Sequence, residues 1–222
     1  MENNNALAKL MGIINKIGTA AMMNLVFLVC CLPVVTVGAA WSGLYSAIRF
    51  SIRKEDWFAG FKAGLRANFL RNTITWCAAL LVGYYALNNT LYYGEYLFVP
   101  GAEQIPVAAA MALISGLFLL AILVFCAVAI PMNLYVPTNV QKWISNTWDL
   151  ALHAPLQALG ATILMWLPLG MALFFTETAF AILIVFVAAY FALAALLITI
   201  LLKDPLLITL KRERAEAGES EQ

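Results

Sequence analysis

Residues 17–48 read IGTAAMMNLVFLVCCLPVVTVGAAWSGLYSAI, 32 positions without one charged side chain. A helix needs about 20 predominantly apolar residues to cross a hydrocarbon core about 30 Å thick. This run is therefore too long for one upright span and short for two. Pro33 has no amide hydrogen and disfavours helix at Leu32 before it, and Gly38 marks a second soft point. The chain is predicted to break between Leu32 and Gly38. Two arrangements satisfy that break. In one, residues 10–31 rise through the membrane, 32–38 turn, and 39–53 descend, with Lys16, Arg49 and Arg53 snorkelling to the interface. In the other, 17–33 is a single span and 34–50 lies buried or along the cytoplasmic surface.

Downstream, four charge-free stretches are long enough to span: 73–91, 106–130, 155–175 and 178–202. The positive-inside rule then separates the two arrangements. With six spans and both termini inside, all 13 Lys and Arg fall on one side, whereas five spans strand Lys9 and Lys16 outside. The expected fold is thus an all-α, polytopic transmembrane bundle of six segments, with five as the alternative, forming one domain over residues 1–210. The tail 211–222 is polar and mixed in charge, and is read as disordered. Residues 88–104 contain Glu95 and Glu103 but no basic residue and belong outside, with Tyr84, Tyr85, Tyr92, Tyr93 and Tyr96 as an interfacial belt. Thr176-Glu177-Thr178 is the external turn between the last two spans. A cleavable leader ending near Val37-Gly38-Ala39 is the minor reading of the N-terminus.

Composition agrees with a bilayer solvent. Hydrophobic residues make up 64% of the chain and charged ones 11%, against about 45–50% and about 25% in soluble domains. A net charge of +1 gives no footing for nucleic acid. Cys30, Cys31, Cys77 and Cys126 all sit in apolar segments without a CxxC pair, so packing rather than metal binding or disulfide formation is expected. Neither a cofactor nor a metal is implied.

Two inner connections read as amphipathic helices. In Trp57–Asn72 the residues Trp57, Phe58, Phe61, Leu65 and Phe69 recur at helical spacing, flanked by Lys62, Arg66 and Arg71. That is the pattern of a helix lying in the interface with its cations reaching for anionic headgroups. In Thr138–His153, Thr138 and Gln141 have capping-box spacing, and Ile144, Trp148 and Leu152 recur every fourth residue.

The chain contains no GxxxxGK[ST], GxSxG or HExxH motif and no pair of carboxylates within one span, so an enzyme is not expected. His153 follows Asp149 by four residues, a spacing at which the carboxylate can hold the ring; a pH-sensitive pair competes here with a plain helix-end contact. Asn24, Thr36, Asn133 and Thr162 are uncharged polar groups at depth, which either bond to a neighbouring helix or line a solute path. The break at 33–38 invites comparison with the discontinuous helices of transporters, against a simple turn between spans.

The segment Leu32-Pro33-Val34-Val35-Thr36-Val37-Gly38-Ala39, followed by Gly43-Leu44-Tyr45, resembles the YesL family of bacterial membrane proteins, a group labelled as a domain of unknown function. The likeness continues through Phe61-Lys62, Leu65-Arg66 and Asn68-Phe69 into the apolar span containing Trp76, and again at Leu152-His153-Ala154-Pro155. There the family has its histidine directly before the proline, whereas Ala154 intervenes here. The resemblance implies a multi-pass protein of the bacterial cytoplasmic membrane associated with carbohydrate uptake, and it supplies no catalytic residues. Three functional classes are weighed: an accessory or assembly component of a sugar uptake system, partnered by that transporter's membrane subunits; a permease in its own right; and, last, an enzyme.

Overall fold

Pro33 ends the first helix, and the elements behind it are arranged around the short segment that follows. The structure, a computed structural model, describes residues 2–96, 105–136, 138–174 and 180–216, with side chains over 15–96, 106–136, 138–168, 170 and 190–215. Among them the elements are α1 (Glu2–Cys31), a 3₁₀ turn (Val34–Thr36), α2 (Val37–Ile52), α3 (Trp57–Arg66), α4 (Phe69–Tyr96), α5 (Ile105–Tyr135), α6 (Val140–His153), α7 (Pro155–Phe174), α8 (Phe180–Leu201) and α9 (Lys203–Glu216). No strand occurs among the described residues, so the chain is all-α.

The break is closed by Thr36. Its hydroxyl lies 2.5 Å from the Cys30 carbonyl and 2.8 Å from that of Pro33, and so serves the end of a helix whose last carbonyls lack intrahelical donors. Beyond it, α2 is buried at every position from Gly38 to Ile48. A helix apolar around its whole circumference must be covered on all sides. Here the cover is protein, because α1, α3, α4, α5 and α8 all pack against α2.

The α2–α3 hairpin differs from the surface helix expected over 57–72. Lys54 turns the chain in the left-handed region (φ 62°), and Asp56 caps α3 by accepting the Phe58 amide at 2.9 Å. Gly60, Phe61 and Gly64 form the buried face. A Cβ on Gly64 would stand 2.4 Å from Ser46 Cβ and 2.6 Å from the Ser42 carbonyl oxygen, so only small residues allow this approach. Phe58 and Phe69 are exposed. Of the aromatic stripe, Phe61 is buried and Trp57 and Leu65 pack partly buried against the core; the stripe fails at Phe69 because the helix stops at Arg66, Asn68 takes a left-handed conformation (φ 54°), and Phe69 belongs to α4.

α4 and α5 form a long antiparallel pair, held near one end by Asn72 and Asn133 and towards the other by a bond from Thr90 to Ser115 at 3.0 Å. Much of this pair faces outward: Leu81, Tyr84, Tyr85, Leu113, Leu117 and Phe118 are exposed. By length and composition Pro106–Tyr135 suffices to cross a bilayer, and among the described residues there are up to three crossings if each bent helix pair counts as one. Those pairs are α6 with α7, bent by 106°, and α8 with α9, bent by 54°. These apolar helices are compatible with a membrane protein.

The interior proline of α7 has a substitute for the bond it removes. Pro168 cannot donate to the Leu164 carbonyl, and the Tyr190 hydroxyl of α8 donates to it instead at 2.6 Å. At the start of α6 the expected Thr138–Gln141 box gives way to an Asn139 cap, which accepts the Lys142 amide at 2.9 Å. The side chains at 144, 148 and 152 face outward, while Trp143, Asn146, Thr147 and Leu150 are buried. The tail read as disordered from residue 211 is helical as far as Glu216. The 176–178 turn, residues 97–104 of the outer loop, and 217–222 lie outside the described residues.

Candidate interhelical polar site

Where α4 begins and α5 ends, four polar side chains meet. Asn133, two residues beyond the interior Pro131 of α5, is buried, as is Asn72 in the first turn of α4. The Asn133 amide donates to Asn72 Oδ1 at 2.6 Å. Arg71 Nη1 donates to Asn133 Oδ1 at 2.8 Å and to the Thr138 carbonyl at 3.2 Å, and Asn68 Nδ2 donates to the Asn133 carbonyl at 3.0 Å. The Arg71 guanidinium also lies 5.5 Å from the centroid of the Trp143 ring, whose Nε1 donates to the Ala129 carbonyl at 3.0 Å. The cluster therefore joins α4, α5, the following connection and α6. Its approach to α2 requires Gly38, where a Cβ would fall within 2.8 Å of Trp76 Cβ and still closer to the Asn72 carbonyl oxygen.

Chemically, this is a tie rather than a reaction centre. Amide and guanidinium donors meet amide oxygens, and no nucleophile or general base takes part. Among the described residues no three His, Cys, Asp or Glu side chains come together as a metal ion would require.

The other predicted positions are dispersed. Asn24 is buried on α1, and its Oδ1 accepts the Ala192 amide of α8 at 2.6 Å. Thr162 donates to the Ala158 carbonyl within its own helix. The expected basic face divides: Lys62 and Arg66 are exposed on α3, with the Lys62 amine 4.5 Å from the Phe58 ring centroid. Arg71, beyond the break at Asn68, is turned inward.

Asp149 and His153 do pair, at 3.1 Å between Oδ1 and Nδ1, but Asp149 also meets Arg212 of α9 at 2.6 Å. Arg212 further donates to Asn146, whose amide donates to Glu213, and Glu213 meets Lys142. Lys142, Asn146 and Asp149 thus form a ladder along one face of α6 that holds α9. Sequence reasoning misses this ladder because Arg212 and Glu213 fall in the polar stretch from residue 211 that reads as disordered. It missed Asn72 and Trp143 because their partners lie far along the chain; a polar residue opening an apolar run was the one available signal for Asn72.

Residues 20–90 match the family model described as "Protein of unknown function, DUF624". YesL-like membrane proteins belong to that family. The matched stretch is less than half of the chain and runs from α1 through the Pro33 break and the α2–α3 hairpin into α4. No curated protein and no solved structure matches the chain.

Proposed function

We propose that this chain is a non-catalytic, YesL-like membrane protein that serves as an accessory or assembly component of a carbohydrate uptake system. It has six membrane segments, and both termini face the cytoplasm of a bacterial cell. The observation that carries the reading is the use of its buried amide side chains: Asn24, Asn72 and Asn133 each bond to another helix rather than facing a common polar channel. A permease would need such groups along a solute path. A packing protein needs them only to align helices. The one-sided basic residues support the orientation. The link to sugars comes from the family resemblance alone.

Gene deletion followed by radiolabelled sugar uptake, with the purified protein assayed in liposomes for the same sugar, tests the role. Uptake lost in cells with none in liposomes supports it; transport by liposomes alone overturns it. Orientation is tested with single cysteines at residues 3–5 and in the tail, in a background lacking the four native cysteines. Labelling of the N-terminus from outside would favour five spans.

A further inference from the structure

We infer that the groove between α4, α5 and α6 holds one acyl chain of an anionic phospholipid, with its phosphate on Arg71. The proposal rests on α4 and α5 being membrane-embedded. The groove encloses about 680 Å³, within the range of about 300–1,000 Å³ typical of small-ligand sites. Its walls are apolar, including Ala78 and Val82 of α4, Phe118 and Phe125 of α5, and Trp148 of α6, and Arg71 stands at one end. From Arg71 to Val82 the α4 wall rises about 16 Å at 1.5 Å per residue. Half of a hydrocarbon core about 30 Å thick is nearly the same length, so the groove matches one leaflet.

Charge selects the headgroup. Arg71 is half-buried and commits one nitrogen to Asn133 and Thr138, and among the described residues it pairs with no carboxylate and the rest of its donors have no partner. A guanidinium is suited to a phosphate oxygen pair, and this one lies over the Trp143 ring. The outward tryptophan at 148 sits where indole rings favour the membrane interface.

The test is native mass spectrometry of the full-length protein in mild detergent, titrated with dioleoyl phosphatidylglycerol and, separately, dioleoyl phosphatidylcholine. The wild type should retain the anionic lipid preferentially. Ala78→Trp, which fills the groove and leaves Arg71 in place, should weaken retention at least about tenfold. Arg71→Gln should do the same, since a charge-assisted bond contributes enough for about one order of magnitude. Lys62→Gln with Arg66→Gln should retain wild-type binding. If Arg71→Gln does not fold, Arg71→Lys and Ala78→Trp carry the test. Unchanged retention by Ala78→Trp, or equal retention of both lipids by the wild type, overturns the proposal. Neither outcome bears on sugar uptake or on membrane orientation, which the experiments above decide separately.

Discussion

Replacing Gly64 by alanine sets two opposing effects against each other, and the structure decides which wins. In an exposed helix interior the change favours folding by about 1 kcal/mol, because glycine has the greater backbone freedom to lose. In α3 the new Cβ would stand 2.4 Å from Ser46 Cβ, 2.6 Å from the Ser42 carbonyl oxygen and 3.1 Å from Gly43 Cα. Two of those three atoms are backbone, so no rotamer change relieves them and the two helices must separate. Overpacking of this kind costs typically 1–3 kcal/mol, and backbone contacts at such distances place it near the upper figure. The net expectation is a loss of about 2 kcal/mol, which in a chain of this size lowers the melting midpoint by about 4–8 °C. The matched control is Gly18→Ala on α1, where nothing lies within 4 Å of the added carbon, and where the midpoint should hold or rise. Ser46→Gly combined with Gly64→Ala should recover only part of the loss, since the Ser42 carbonyl remains. The assay is thermal unfolding of the detergent-solubilised protein, followed by the fraction that stays monodisperse. A midpoint for Gly64→Ala equal to or above wild type would refute the close α2–α3 contact.

Three further outcomes are expected. Asn133→Leu removes the partner of both Asn72 and Arg71 and should lower folded yield by the equivalent of about 1–3 kcal/mol; adding Asn72→Leu should restore part of it, and additive losses in the double-mutant cycle would count against the contact. Tyr190→Phe should cost about 1 kcal/mol in the wild type and distinctly less in a Pro168→Ala background, where the Leu164 carbonyl regains a backbone donor; equal costs in both backgrounds would show that the hydroxyl does not serve that carbonyl. Asn146→Ala with Asp149→Asn should hardly change global stability, since the α6–α9 ion pairs are partly exposed, yet should speed tryptic cleavage at Lys211 several-fold, and an unaltered rate would mean that α9 is held by other contacts.

The sequence by itself determined the features that covalent chemistry and local hydropathy dictate. The break after Leu32 follows from a missing amide hydrogen, and the all-α class from the apolar runs and their length. Asn24 and Asn133 were legible as groups that would seek a partner, because an amide in apolar surroundings is too costly to leave unbonded. What no local pattern could supply was the identity of the partner. Asn133 meets Asn72 and Arg71 across 61 and 62 residues of chain, and Asn24 meets Ala192 across 168. The same distance hid the inward turn of Arg71, which resembles Lys62 and Arg66 in sequence but lies beyond a left-handed residue that redirects the helix. Packing also completed the reading of α3: of the phenylalanines that hydrophobicity pointed to, Phe61 is buried, but it shares that face with Gly60 and Gly64, because α2 offers Ser42, Gly43 and Ser46 opposite it and the two backbones can nearly touch. Periodicity reports which side of a helix is apolar, but only tertiary packing decides which side has a partner close enough to use.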